Sequence, residues 1–460
     1  MTKMLTWMIA GSALLLFGCS SLRHTLFQSS GWDLGIFDQA VYLISQGKPP
    51  ISSILGFHIL GDHAAWVFYP LALLYNIYPD VHWLLAVQAI ALASGALPSF
   101  LLARQAGLKE SQAIAIAVVY LLYPLVFNIN LFDFHPDVIA LPALLWAILA
   151  ALRGQIGWFC LAIILVLSCK AVLALTIAAM GFWLLLFEKR RLFGAIAVVG
   201  GITWFLIATL GVIPFFGGEA ATLGRHLPRY GYLGHSLPEI TKNLLLNPGL
   251  VLGKVFSLNT LEYLGLLVLP VIWGLSPLHL TPLIGAIPTL LLNILSEFPT
   301  QRNLVHQYSL PVLPFLLLAV ISTLAAGRGW LQNQRAIIFW SLVTFFALAK
   351  YGYFWSIYLE SLDTWKATRE AIAYIQTQGS VLTPDPVAPH LSHRLVVKLA
   401  MTGSESADLT QFEYVLLNLR HPGFGSSPEV ASSLLAGVKN TPEFQLTYQR
   451  DDVYLFTKKS

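Results

Sequence analysis

Apolar stretches of bilayer-crossing length recur along the chain, and no other feature restricts the fold as much. A helix needs about 20 apolar residues to cross the hydrocarbon of a membrane. Such runs lie near 5–22, 82–103, 111–127, 138–152, 154–169, 171–187, 192–213, 257–275, 280–295, 308–326 and 337–358, about eleven in all. Trp66–Tyr78 is apolar but short, interrupted by Pro70 and ended by Pro79, which suits an interfacial or re-entrant helix. Charge agrees with this count. Only 11% of the 460 residues are charged, where a soluble domain carries about 25%. With 56% hydrophobic residues and a mean hydropathy of +0.69, the chain cannot clothe a water-facing surface. The expected class is mainly α, a polytopic membrane helical bundle.

Several functions are disfavoured at once. A net charge of +4, from 27 Lys and Arg against 23 Asp and Glu, gives no basic stripe for nucleic acid. Cys19, Cys160 and Cys169 form neither a disulfide framework nor a paired zinc signature. Phosphate-loop and dinucleotide-binding glycine patterns are missing, which argues against an ATP-driven pump or a nicotinamide enzyme.

Lysine and arginine in short loops set the orientation. Arg104 with Lys109, then Arg153, then Lys189-Arg190-Arg191, then Arg328 with Arg335 all fall on one side if the N-terminus bearing Lys3 is cytoplasmic. The opposite, periplasmic face then receives 23–81, 128–137, 214–256, 296–307 and the C-terminal tail. Leu16-Phe17-Gly18-Cys19 has the outline of a lipoprotein cleavage box, but Phe17 occupies the place of a small residue, so an uncleaved first span is preferred. Composition changes after Tyr358. Residues 1–358 are expected to form the membrane domain, with an outer loop 23–81, and 359–460 a small soluble α/β domain beside it. Within that tail, Leu362–Gln378 has the pattern of an amphipathic helix, Ser380–Thr383 and Phe412–Asn418 of strands, and Phe444–Tyr448 with Val453–Lys458 of a hairpin.

In so uncharged a chain, ionisable groups near the bilayer are candidates for function. The outer loop holds Asp33 and Asp38, five apart, and then Asp62 and His63. Asp133 and His135 lie in Phe132-Asp-Phe-His-Pro136 between two spans. This set offers a general base, a polar head-group clamp or ligands for a divalent cation such as Mg or Mn, with Asp62 and His63 the metal candidates. Each acid alone also fits a wet loop, and Asp137, directly after Pro136, has the position of an N-cap. Lys170, Arg225, Arg229 and Arg302 supply cations on the same face. They suit a lipid phosphate, or equally snorkel toward head groups.

The motifs Asp33-Leu-Gly-Ile-Phe-Asp-Gln39, Gly61-Asp-His63, Phe132-Asp-Phe-His-Pro136, Arg229-Tyr-Gly-Tyr-Leu-Gly234 and Pro384–Arg394 resemble domain-of-unknown-function family 2079, a group of bacterial integral membrane proteins, over roughly residues 20 to 455. Where members carry an acidic pair after the lysine matching Lys170, this chain has Ala171 and Val172. That family is in turn similar in layout to the C-type (GT-C) glycosyltransferases. The resemblance implies a bacterial inner-membrane enzyme that takes a sugar from a polyprenyl-phosphate carrier to an envelope glycan or lipid acceptor. Asp38 or Asp33 is then the expected base, and Asp62, His63, Asp133, His135, Lys170, Arg225, Arg229 and Arg302 the expected substrate-binding set. A transporter or flippase of a lipid-linked substrate, and a catalytically silent envelope scaffold, are the alternatives.

Overall fold

The computed structural model describes residues 3–221 and 227–459. Arg225 falls outside the described residues. The chain divides into two compact units. One comprises Met1–Phe17, Leu60–Val67 and Ala86–Lys350; the other comprises Gly18–Ile59, Phe68–Leu85 and Tyr351–Ser460.

Each of the eleven apolar stretches is helical, but many are broken by proline or by caps. Four helices among the described residues are long and apolar enough to cross a membrane: Lys3–Thr25, His82–Gln105, Arg191–Gly217 and Gln307–Ala325. Counting each of three bent pairs as one span raises the number to seven. The breaks have local causes. Glu110–Leu121 and Pro124–Asn130 meet at 41°, where Pro124 opens the second helix and has no N–H to continue the first. Pro248–Val255 and Leu258–Gly274 meet at 49°, where the Ser257 hydroxyl accepts from the Thr260 amide at 3.3 Å and caps a new helix. Fewer than eleven helices reach that length because an apolar run does not reveal where the helix restarts.

Burial separates the long helices of the first unit. Of its most apolar window, Gln307–Ala325 has 83% buried and Arg191–Gly217 only 22%, so the former lies in the core and the latter presents an apolar outer face suited to lipid. Leu173–Leu186 and Arg191–Ile207 pair through glycines. A Cβ on Gly181 would stand 2.7 Å from Val198 N, and one on Gly201 2.6 Å from Ala174 O, so only glycine permits this approach.

The second unit contains a five-stranded sheet. Its strands are β3 (Val381–Thr383), β4 (Val397–Leu399), β5 (Tyr414–Asn418), β6 (Phe444–Arg450) and β7 (Val453–Lys458), in the order β4-β3-β5-β7-β6. A separate two-residue pair, β1 (Ile51–Ser52) with β2 (Phe57–His58), precedes them. Strands β4, β3 and β5 are mutually parallel, whereas β7 is antiparallel to both β5 and β6. Alternation along β5 feeds two cores. Tyr414 and Leu416 join Ala367 and Ala371 of the helix Leu362–Ala373, while Val415 and Leu417 join Leu434 and Val438 of the helix Pro428–Lys439. The turn of the β6–β7 hairpin places Asp451 and Asp452 at φ of 48° and 60°, as a tight two-residue hairpin turn requires. The first helix ends at Ala373, short of the expected Gln378. Beyond it the Thr377 hydroxyl accepts from the Gly379 amide at 3.1 Å, a local bond that competes with helix.

Residues from the expected outer loop belong to this same unit. The Asp385 carboxylate accepts from the Gly31 amide at 2.9 Å and from the Ser30 hydroxyl at 3.1 Å. The Gln39 amide donates to Arg394 O at 3.0 Å, and the Ser53 hydroxyl to Val397 O at 2.8 Å.

Candidate functional site

Each unit gathers ionisable groups, and the two clusters are distinct in kind.

In the first unit the cluster is cationic and aromatic. The helix Ile156–Cys169 ends where Lys170 turns to extended backbone. The Lys170 ammonium stands 3.3 Å from Asp137 Oδ2, both side chains being buried. Asp137 occupies the first position of the helix Asp137–Arg153 and makes no capping bond there, contrary to the capping role its sequence position suggests. Its carboxylate instead answers a buried lysine, which an apolar interior tolerates only when paired. Two cations lie near the Tyr308 ring, with Lys170 Nζ 5.8 Å and Arg229 Cζ 5.6 Å from its centroid. Arg229 also lies 5.6 Å from the Phe298 ring. Both distances fall within cation–π range.

Aromatic rings carry this cluster toward the Phe132–Pro136 motif. His306 lies 6.4 Å from Tyr308 and meets Phe132 edge-on at 4.3 Å, and Phe132 stacks on His135 at 5.3 Å. Asp133 is buried at a φ of 128°, which a non-glycine residue rarely adopts. The short helix Leu60–His63 adjoins Lys170 through the backbone, the Ala171 amide donating to His63 O at 2.9 Å. Asp62 Oδ2 and His63 Nε2 are 3.3 Å apart. These are two potential metal ligands, but among the described residues no group of three or more His, Cys, Asp or Glu is placed to hold a metal ion. Arg302 is directed elsewhere, its guanidinium donating to Ile294 O at 3.4 Å. The arrangement therefore joins Asp62, His63, Asp133, His135, Lys170 and Arg229 of the expected set in one unit, with Asp137 and Tyr308 added to them.

In the second unit the cluster is built on Asp38. Gly31–Gly35 is a π-helical turn running into the helix Ile36–Ser45, and Ser30 caps it by accepting from the Trp32 amide at 3.1 Å. Asp33 and Asp38, five apart on helical backbone, face different ways: Asp33 is half-buried and Asp38 fully buried. Asp38 accepts from the Tyr75 and Ser392 hydroxyls, and His393 Nε2 lies 3.0 Å from its Oδ2. The His393 ring stacks on Tyr42 with centroids 4.6 Å apart and planes 5° from parallel. A cleft of about 240 Å³ opens beside them, lined by Asp38, Asp80, His82 and Pro389–Arg394 with His24 at its edge. His24 stacks on His390 at 3.9 Å, and His82 Nδ1 is 2.6 Å from Asp80 Oδ1. Burial pushes His390 down to about 4. Burial acts in the same direction on His393, but the charge and hydrogen-bonding of Asp38 outweigh it, so its pKa is raised above the ordinary histidine value.

Comparison with known proteins fits this architecture. The fold is mainly helical and similar to that of ArnT. A crystal structure of ArnT from Cupriavidus metallidurans bound to undecaprenyl phosphate superposes with a TM-score of 0.60, covering 100% of this chain and 99% of that one at 11% identity. ArnT from the same organism in the apo state gives a TM-score of 0.56 at 12% identity, covering 97% and 98%. At such identities the likeness is one of fold. No curated protein matches the sequence. The chain belongs to the family described as predicted membrane protein (DUF2079), whose model matches residues 23–455.

Sequence reasoning gave Asp137 only the position of a cap and met Ser392 and His393 only inside the Pro384–Arg394 motif, and it assigned no role to Tyr75 or Tyr308. The pairing of Asp137 with Lys170 had a signal: one lysine inside an apolar interior demands a carboxylate, and Asp137 was available. Nothing local ties Asp38 to Ser392, 354 positions away.

Proposed function

We propose that this protein is a bacterial inner-membrane glycosyltransferase that moves a sugar from a polyprenyl-phosphate donor to an envelope acceptor at the periplasmic face. The observation that carries the proposal is a fold shared over essentially the full length of both chains with ArnT, which one structure holds bound to undecaprenyl phosphate. The paired cations about Tyr308 support it, because ammonium and guanidinium fixed beside an aromatic ring suit a phosphate ester.

In this reading Lys170 and Arg229 hold the donor phosphate. Asp137 fixes Lys170, while Asp62, His63, Asp133 and His135 shape the head-group environment. The acceptor hydroxyl gives up its proton to a side chain of the protein as its oxygen bonds to the anomeric carbon and the bond from that carbon to the phosphate oxygen breaks. The electron pair leaves on the polyprenyl phosphate, whose growing charge the two cations stabilise. The topology that goes with this has about eleven passes, a cytoplasmic N-terminus and residues 359–460 in the periplasm.

Three helix pairs bent by 41°, 49° and 43° give one specific support to a second reading, a transporter of a lipid-linked substrate, since transporters use broken helices. Turnover separates the two. Full-length protein in nanodiscs is supplied with a panel of undecaprenyl-phosphate-linked sugars and released undecaprenyl phosphate is measured. The proposal expects release with at least one sugar, reduced in Lys170→Ala. Translocation of the intact donor without release would establish the transporter instead.

A further inference from the structure

Within the second unit, Asp38 is poorly placed to be a base. It is fully buried, and hydroxyl donors from Tyr75 and Ser392 already occupy its oxygens. His393 differs in exposure. Both residues line the cleft, but the His393 side chain is 29% exposed against 1% for Asp38, and its ring stacks on Tyr42. With Nε2 3.0 Å from the Asp38 carboxylate, the imidazole sits beside a buried acid, as the histidine of a hydrolase triad does.

We propose that His393 is the group that exchanges a proton with the ligand of this cleft, and that Asp38 is its positioning residue. The inference rests on the transferase reading for the identity of the step: the acceptor hydroxyl proton passes to His393 Nδ1 as the new glycosidic bond forms and the polyprenyl phosphate departs. Charged and titratable groups face His393 from each surrounding element: Asp38 and Tyr42 from the helix Ile36–Ser45, Tyr75 from Phe68–Tyr75, Asp80 from the segment after it, and the adjacent Arg394. Asp38 is the nearest charge and favours the imidazolium. The half-buried His390 is committed elsewhere, its Nε2 donating to His24 O at 3.1 Å, and desolvation lowers its pKa, which removes it from the same role.

Two readouts on the full-length protein in nanodiscs test the inference. In the first, ¹⁵N-histidine spectra are followed against pH for wild type, His393→Gln and Asp38→Asn. One imidazole should titrate above the ordinary histidine value, vanish in His393→Gln and move to lower pH in Asp38→Asn; no movement in Asp38→Asn would overturn the coupling. In the second, undecaprenyl phosphate release is measured against pH with a sugar donor that wild type accepts. His393→Gln should lower kcat about 10²–10⁴-fold with the donor KM unchanged and the rising limb of the pH profile lost, whereas Asp38→Asn should keep that limb at lower pH. An unaltered limb in His393→Gln would overturn the role of His393. Absence of release by wild type with every donor sinks the transferase reading alone, because the spectra still decide the pair.

Discussion

At the scale of single residues, the pairing of Lys170 with Asp137 governs the first unit. Their charges are buried 3.3 Å apart, and removing one partner strands the other in a medium that solvates it poorly. Lys170→Met should therefore cost about 3–5 kcal/mol of stability. The double change Lys170→Met with Asp137→Leu should restore most of it, because an apolar pair of similar volume needs no compensation. Thermal unfolding in one detergent measures both; a single variant costing under about 1 kcal/mol would mean that the pair is hydrated. His393 gives stability a pH dependence. Its pKa is raised in the folded protein, so its contribution is complete below about 6.5, the ordinary histidine value. That contribution is lost as pH rises through the higher folded value. The unfolding midpoint should fall over that window in wild type, and this part of the fall should disappear in His393→Gln. A midpoint flat across the window in wild type would contradict the pairing. Sequence reasoning reached Asp38 and Lys170 because charge is rare in this chain. It met Ser392 and His393 only inside the Pro384–Arg394 motif and did not join them to Asp38, since contacts across 354 positions are created by folding and leave no local pattern.

At the scale of elements, apolar periodicity located the helices but not their interruptions. Pro124 and the Ser257 cap each restart a helix inside one continuous apolar run, so counting runs overstates the helices of bilayer length. The strands of the tail were legible because β5 is buried on both faces and β6–β7 carry a turn that aspartates can adopt. The expected helix Leu362–Gln378 overran because Thr377 diverts the backbone through its hydroxyl, an effect hydropathy does not register. The glycine-lined pair Leu173–Leu186 and Arg191–Ile207 is the element most sensitive to substitution. Gly201→Leu would drive a side chain into Ala174 O, already 2.6 Å from the place of a Cβ. The helices must separate, at a cost of about 1–3 kcal/mol or more. Cysteines placed at facing positions of the two helices should then cross-link more slowly than in the parent. An unchanged rate would show that the helices do not rely on this approach.

At the scale of the whole molecule, a chain with 11% charged residues concentrates its chemistry in two places, a cation–aromatic cluster in one unit and a histidine–aspartate cleft in the other. The membrane class and the motifs were legible in the sequence, but the division of the outer loop between units was not. Residues 18–59 and 68–85 join the sheet-bearing unit, while Leu60–Val67 joins the helical one. Asp38 and Asp62 therefore belong to different units although one loop carries both. The central claim is that the Lys170–Arg229 cluster holds a polyprenyl phosphate. The most direct measurement is native mass spectrometry of the full-length protein titrated with undecaprenyl phosphate, beside uncharged undecaprenol. A charge-assisted hydrogen bond contributes about 1.5–3 kcal/mol, so Lys170→Ala and Arg229→Ala should each weaken phosphate binding about 10-fold to 100-fold and leave undecaprenol binding unchanged. Equal affinity of wild type for the two lipids, or undiminished phosphate binding in both variants, would contradict the account.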